Sequence, residues 1–156
     1  MARSDAYQHR VTVPASRTRV WIALQQPATW ASLAGVREVS DPVFDDHGHL
    51  KSYRWKAAAG PRHIEGASKV VRSRIPSSMV LEVDASEVSG TIAVQLEEPK
   101  PRTTIVSARL VLEAHGVLSS IFFPIVSQAI GEGLPAQLEA FARRFTERSG
   151  PSRRRG

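Results

Sequence analysis

The sequence contains no cysteine, and aromatic residues make up only 6% of its 156 residues. Without cysteine the chain forms no disulfide, offers no thiolate ligand to a metal and has no cysteine nucleophile, which fits a reducing compartment. No stretch approaches the roughly 18 consecutive apolar residues of a membrane-spanning helix, and residues 1–10 lack the apolar centre of a signal peptide. We therefore expect a cytoplasmic protein.

Length and charge place further limits on the chain. A chain of this size forms one domain with a core large enough to need no covalent staple. The net charge is +6, but Arg153, Arg154 and Arg155 account for half of it, and they follow Gly150 and Pro151. We predict a domain over residues 1–149 and a disordered basic tail over 150–156. A basic stripe interleaved with aromatic residues is missing, so no nucleic-acid partner is expected.

The first part of the chain indicates one strand and two short helices. Apolar and polar residues alternate over Tyr7–Val13, which is typical of a half-buried strand. A helical period follows over Ala15–Gln26, and Pro27 ends it. Pro27 also begins a second short helix, Ala28–Ala34, which Gly35 closes as a C-terminal cap.

From residue 36 to residue 115 the apolar period changes to two, which predicts one antiparallel sheet. Turns are expected at 46–48, 60–61, 76–78, 89–90 and 99–101. On the later strands apolar residues share one face and charged residues the other, so helices cover one side only. Neither face of the long third strand of this run is uniformly apolar, which indicates a bulge. The predicted strands are Val36–Asp45, His49–Ala59, Arg62–Ile75, Met79–Glu87, Thr91–Glu97 and Arg102–Ala114.

An apolar stripe at helical spacing runs from Val117 to Arg148. Gly131, Gly133 and Pro135 interrupt it, because glycine and proline destabilise a helix interior. One kinked helix and two helices, Val117–Ile130 and Leu134–Ser149, are equally compatible with this pattern. In either case a long C-terminal helix lies on one face of an antiparallel sheet, which is an α+β fold with a cup between its layers.

Several motifs resemble the START-like superfamily, which includes Bet v 1, the polyketide cyclases/dehydrases and other SRPBCC proteins. The resemblance covers nearly the whole chain and begins with the run from Val11 to Trp21 followed by Pro27-Ala-Thr-Trp30. Leu33 to Val39, His63-Ile-Glu-Gly66 and Gly90 to Leu96 are similar in pattern to the carbon monoxide dehydrogenase branch of the superfamily. The resemblance implies a helix-grip fold, in which a seven-stranded antiparallel sheet wraps around a long C-terminal helix and two short helices follow the first strand.

The resemblance also implies a function. Members of the superfamily bind lipids, sterols, quinones, polyketides or plant hormones, and some are aromatase/cyclases. Members of the carbon monoxide dehydrogenase branch are linked to membrane-associated maturation or quinone handling for a redox enzyme. We accordingly expect a hydrophobic small molecule as ligand and no cofactor, with a weak contact to a membrane surface or a redox enzyme as a further partner. The oligomeric state does not follow from the sequence.

Two polar features are candidates for chemistry. Asp45-Asp46-His47-Gly48-His49 places two histidines near carboxylates, but the spacing fixes no third or fourth ligand, so we interpret it as a hairpin turn without a metal. His9 shares the inward face of its strand with Val11 and Val13. It is either a buried neutral histidine bonded to a backbone carbonyl or a ligand contact.

Tyr53 and Trp55 face inward on their strand, whereas Ser52, Arg54 and Lys56 face solvent. An aromatic pair of this kind suits a ring-bearing ligand and suits core packing equally. Trp21 and Trp30 are interpreted as packing residues. The residues predicted to line the ligand cavity are His9, Tyr53, Trp55, Leu81, Val83, Ile92, Val94, Val106, Ala108, Leu110, Phe122, Ile125, Ala129 and Leu138.

Three functions remain open. The first, which we favour, is a noncatalytic carrier that binds a lipid, a quinone or a polyketide-like molecule between the sheet and the C-terminal helix. The second is a cyclase, aromatase or dehydratase-like enzyme without metal or nucleotide, in which His9 or Tyr53 moves protons. The third is an accessory protein for a redox enzyme or a membrane. No catalytic residue can be assigned, because the sequence contains no G-x-S-x-G motif and no nucleotide-binding loop.

Overall fold

The computed structural model describes residues 3–33, 38–59, 62–85, 88–114 and 133–153. Its strands form one seven-stranded antiparallel sheet in the order β1-β7-β6-β5-β4-β3-β2, with β1 and β2 at the edges. This confirms the predicted α+β architecture. The strands are β1 Arg3–Val13, β2 Glu38–Phe44, β3 Leu50–Ala59, β4 Arg62–Arg74, β5 Ser78–Ala85, β6 Val88–Lys100 and β7 Thr103–Ala114.

Three described helices accompany the sheet: α1 Arg17–Ala23, α2 Pro27–Leu33 and α3 Leu134–Arg153. Helix α1 begins after Ser16, whose hydroxyl accepts a hydrogen bond from the backbone N–H of Arg19 at 3.2 Å. This N-cap satisfies one of the donors that a helix leaves free in its first turn. Helix α1 contacts β6 and β7, and α3 packs along β1 and against α2.

The side chains of β7 show why the sheet has one covered face. Its alternate residues Thr104, Val106, Ala108, Leu110, Leu112 and Ala114 are buried, while the residues between them are partly or fully exposed. We call the face that carries these buried side chains the inner face, and the opposite one the outer face. The polar residues predicted on the outer face, Glu82, Asp84, Gln95, Glu97, Arg109 and Glu113, are exposed.

The predicted bulge in the long strand is present in β4. The register with β5 shifts between Val70 and Arg72, which adds one residue and lets Val70 and Ser73 both share the inner face with Leu81 and Met79. At the β2–β3 turn, Gly48 has φ of +82°, the left-handed conformation that glycine adopts without strain.

Two predicted turn boundaries are wrong. Ser89-Gly90 is not a turn, because Gly90 pairs with Val83 and Leu112 inside β6. A Cβ at Gly90 would stand 2.5 Å from the carbonyl oxygen of Val111, so the glycine serves close backbone packing. Pro99 and Lys100 continue β6 up to a turn at residues 101 and 102, because a terminal position of the strand tolerates proline.

The C-terminal helix confirms the predicted apolar face. Leu134, Leu138, Phe141 and Phe145 are buried, whereas Glu139 and its neighbours Arg143 and Arg144 are exposed. Helix α3 extends to Arg153, four residues beyond its predicted end at Ser149. The predicted segment 117–130 and the predicted kink lie outside the described residues, and the division into a domain and a tail at residue 150 stays a prediction.

Candidate functional site

The predicted pocket residues of the sheet lie together on the inner face. The register places Tyr53 beside Ser68, Ser68 beside Val83, and Val83 beside Gly90, so these residues form a row across β3 to β6. The next row toward the start of β5 joins Leu81, Ile92 and Leu110, and further rows contain Val94 with Ala108 and Leu96 with Val106. Directly opposed residues share a face, so the sheet brings the predicted set into one surface.

Burial separates this surface into a packed part and an accessible part. Tyr53, Trp55, Leu81, Ile92, Val94, Val106, Ala108, Leu110 and Leu138 are buried in the core. Val83, Ala85 and Val88 share the inner face but remain partly exposed. The accessible apolar part therefore lies where β5 ends and β6 begins. Phe122, Ile125 and Ala129, also predicted to line the cavity, lie outside the described residues.

Tyr53 is the polar group of this surface whose titration is most altered. Its side chain is 3% exposed, and burial raises the pKa of its hydroxyl to about 12. A hydrogen bond with the hydroxyl of Ser68 opposes this rise by stabilising the phenolate. Ser68 is itself buried, at 2% exposure. The prediction from the sequence missed Ser68, although its position opposite Tyr53 in a hairpin register would have identified it.

His9 does point to the inner side of β1, but its surroundings differ from the prediction. Its Nε2 lies 3.2 Å from Oε2 of Glu139 on α3, and the two side chains are 29% and 54% exposed. The expected buried neutral histidine bonded to a backbone carbonyl is therefore wrong, because α3 crosses this edge strand and supplies a carboxylate. His9 pairs with the helix at the rim of the inner face.

The Asp45–His49 segment is a hairpin turn, as expected. Asp45 Oδ1 accepts hydrogen bonds from the backbone N–H groups of His47 and His49 at 2.8 and 2.9 Å. The bond from His49 is the main reason that the pKa of Asp45 is lowered. Among the described residues no group of three or more histidines, cysteines or carboxylates is arranged to hold a metal ion.

Both predicted packing tryptophans are buried. Trp30 donates from Nε1 to the carbonyl oxygen of Leu24 at 2.7 Å, which ties α2 to the end of α1. Trp21 contacts the ring of His49 edge to face, with 6.3 Å between the centroids. Within the described part of the chain its Nε1 has no hydrogen-bond acceptor.

A separate groove of about 550 Å³ lies on the outer face. Two rows of outer-face residues border it, one containing Ser52, Lys69, Glu82, Thr91 and Val111, the other Ala67, Asp84, Ser89 and Glu113. Ser68, Val83 and Gly90 lie between these rows, and because side chains alternate along a strand they contribute backbone to its floor. Of the described residues predicted to line the cavity, Val83 alone borders this groove, which is distinct from the predicted pocket.

Comparison with solved structures identifies the fold. No protein-family model and no curated protein matches the sequence. A START superfamily protein from Mycobacterium smegmatis matches with a TM-score of 0.69 and 10% identity, over 89% of this chain and 97% of that one. Norcoclaurine synthase from Thalictrum flavum, in complex with dopamine and hydroxybenzaldehyde, matches with a TM-score of 0.62 and 12% identity, over 94% and 88%. An aromatase/cyclase from a Streptomyces species matches with a TM-score of 0.59 and 14% identity, over 92% and 87%.

These similarities, together with the sheet order and the C-terminal helix, show that the chain has the START-like helix-grip fold. The narrower resemblance to the carbon monoxide dehydrogenase branch stays a prediction. No helix in the described ranges is long and apolar enough to cross a membrane.

Proposed function

We propose that this protein binds and carries a hydrophobic small molecule between the inner face of the sheet and the C-terminal segment. The observation that carries this proposal is the accessible apolar surface at Val83, Ala85 and Val88. On the same face of β5, Leu81 is completely buried. Apolar side chains that face inward and still reach solvent are typical of the mouth of a ligand cavity.

The polar groups beside this surface support binding of a ligand that carries oxygen or nitrogen. The hydroxyl groups of Tyr53 and Ser68 face the interior in the same row as Val83. A few polar groups in an otherwise apolar cavity orient a ligand, while apolar contact supplies most of its affinity at about 25 cal/mol per Å². Trp55, one row away, adds a flat aromatic side chain.

The similar structures agree with this class of ligand. Norcoclaurine synthase holds two small aromatic molecules, dopamine and hydroxybenzaldehyde, and the Streptomyces protein is an aromatase/cyclase. Sequence identities of 10–14% support the shared fold and do not identify the ligand. A lipid, a quinone and a polyketide-like molecule are therefore all members of the proposed class.

Carriage has more support than cyclase chemistry. A pKa of about 12 keeps Tyr53 protonated at neutral pH, so its hydroxyl can donate a hydrogen bond and does not act as a base. His9, the other candidate for proton transfer, is paired with Glu139 at the edge strand. Neither residue therefore presents a free base to the surface around Val83. An accessory role toward a redox enzyme stays a prediction from the resemblance.

Binding of the neutral fluorescent probe phenylnaphthylamine tests the proposal. Val83→Trp would fill the accessible part of the inner face and should weaken binding by at least about tenfold. Val80→Trp is the matched control, because Val80 lies on the outer face of the same strand and should leave binding unchanged. Native mass spectrometry of freshly purified protein would identify a copurified ligand. Failure of the wild-type protein to bind the probe, or equal binding by both variants, would contradict the proposal.

A further inference from the structure

Five large apolar side chains are exposed in the part of the chain that the structure describes: Ile22, Val43, Phe44, Val71 and Ile75. All five lie at the end of the sheet that carries the β2–β3 and β4–β5 turns. Strand β2 finishes there at Phe44, β4 finishes there at Arg74, and α1 follows the end of β1. This common location is not expected of isolated surface residues, which are scattered.

Four of these side chains form what we call the tip patch, namely Val43, Phe44, Val71 and Ile75. Phe44 pairs with Leu50 on β3, and β3 pairs Ser52 with Lys69 on β4. Val71 is two residues further along β4, which brings it beside Leu50. The patch thus extends across the ends of three neighbouring strands and onto the turn that begins at Ile75.

The backbone holds the tip patch outward. The N–H of Ser77 donates to the carbonyl oxygen of Arg74 at 2.6 Å, and the N–H of Leu96 donates to the carbonyl oxygen of Ser77 at 2.7 Å. The β4–β5 turn is therefore closed on itself and tied to β6. Because these bonds fix the turn, Ile75 cannot reach the core without breaking them, and its side chain is 56% exposed.

Arginine residues surround the tip patch on the outer face. Arg72 and Arg74 lie between Val71 and Ile75 along the chain, and all four side chains are exposed. The register places Arg72 in a row with Val80, Ala93, Arg109 and Gln8, and Arg74 in a row with Ser78, Gln95, Ser107 and Arg10. Neither row contains a carboxylate. This end of the outer face therefore carries four arginines that attract an anionic partner.

The carboxylates closest to the patch do not cancel this charge. Glu82 lies opposite Lys69 in the adjacent row and compensates that lysine. Asp45, in the β2–β3 turn, accepts hydrogen bonds from two backbone N–H groups. Asp46 is exposed beside it, and Lys51, also exposed, follows on β3.

The combination of apolar and basic side chains identifies the partner. A nucleic acid would use the arginines together with stacking aromatics, but three of the four apolar residues of the tip patch are aliphatic. A second copy of the chain would bring Arg72 and Arg74 toward their own counterparts, which is unfavourable. An anionic bilayer surface satisfies both properties, because it accepts apolar side chains below its headgroups and attracts cations above them.

We propose that the tip patch docks on a bilayer that contains anionic lipids. Phe44 and Ile75 enter the headgroup region, and Arg72 and Arg74 contact lipid phosphates. This surface is separate from the inner-face cavity and does not depend on the proposed function. It also differs from the arginines at the end of the chain, so removal of residues 154–156 should leave most of the binding intact.

Sedimentation with vesicles of phosphatidylcholine, with and without phosphatidylglycerol, tests this proposal. The wild-type protein should bind the vesicles that contain phosphatidylglycerol more tightly. The double variant R72Q/R74Q should lose about 25-fold in affinity for them, since each basic residue near an anionic surface contributes roughly fivefold. Ile75→Ser should lose about tenfold on both kinds of vesicle. Arg143→Gln, an exposed position of α3, is the matched control and should bind as the wild type does.

Each alternative has its own result. Equal binding by R72Q/R74Q and the wild type, or no binding of the wild type to anionic vesicles, would refute the proposal. Binding to duplex DNA that R72Q/R74Q loses and Ile75→Ser retains would point to a polyanion instead. A dimer in sedimentation velocity that Ile75→Ser converts to a monomer would show that a second copy covers the patch, which would also overturn it.

Discussion

Trp55 lies directly opposite Gly66 on the neighbouring strand, and its indole occupies the space that a side chain at Gly66 would need. A Cβ at Gly66 would stand 2.8 Å from Cε2 of Trp55 and 2.7 Å from the carbonyl oxygen of Asp84. We therefore expect Gly66→Ala to lower the free energy of unfolding by about 2–4 kcal/mol, because neither the ring nor the backbone can move freely. Urea denaturation followed by tryptophan fluorescence measures this loss.

Gly48→Ala is the matched control for that substitution. A Cβ at Gly48 would meet nothing within 4 Å, so its cost arises from the φ of +82° alone and should be about 1 kcal/mol. Equal losses in the two variants would show that Trp55 does not depend on the absence of a side chain at Gly66.

Tyr53 should make stability depend on alkaline pH. Its pKa is about 12 in the folded protein, against 10.0 for an unperturbed tyrosine. The folded state therefore keeps the proton to higher pH than the unfolded chain. The contribution of neutral Tyr53 is complete below about pH 10 and is lost as the pH rises toward 12, by about 3 kcal/mol in all.

Comparison of the wild type with Tyr53→Phe between pH 9 and pH 12 isolates this effect in denaturant unfolding, because phenylalanine does not titrate. Tyr7→Phe leaves Tyr53 in place and should lose stability with pH as the wild type does. If Tyr53→Phe also did so, the buried hydroxyl would not be the cause.

The sequence predicts the faces of the sheet better than its turns. Alternation in the last strand identifies Val106, Ala108 and Leu110 as inward residues, because the opposite orientation of the strand would expose all three apolar side chains. Gly90 was assigned to a turn because glycine marks both turns and close strand contacts. Only the position of the Val111 carbonyl on the next strand distinguishes the two.

The site shows the same division. Tyr53 and Trp55 are recognisable from local alternation, and the structure confirms that both face inward. The partner of His9 is 130 residues away, on a helix whose rotation about its axis is set by packing against β1. No local pattern gives that rotation, so the pairing with Glu139 could not be predicted. Ser68 needed the hairpin register, which the bulge in β4 obscured.

Adjacent residues of α3 should differ strongly in their contribution to stability. Leu138 is completely buried against the core, and Leu138→Ala should lower the free energy of unfolding by about 2–5 kcal/mol because it leaves a cavity. Glu139 is mostly solvent-exposed, and its pair with His9 is worth less than about 1 kcal/mol, so Glu139→Ala should cost little. Thermal unfolding of both variants measures the difference. A larger loss for Glu139→Ala would mean that the ion pair, and not the apolar face, fixes α3 on the sheet.

The two buried tryptophans of α1 and α2 should respond differently to the same substitution. Trp30→Phe leaves the carbonyl oxygen of Leu24 without its donor, whereas Trp21→Phe removes an N–H group that has no acceptor in the described chain. Both variants lose similar aromatic volume, so Trp30→Phe should cost about 1–3 kcal/mol more than Trp21→Phe in urea denaturation. The difference isolates the hydrogen bond because each variant serves as the control for the other. Equal losses would indicate that the N–H of Trp21 has an acceptor in solution, such as a bound water, whose loss is as costly as that of the bond to Leu24.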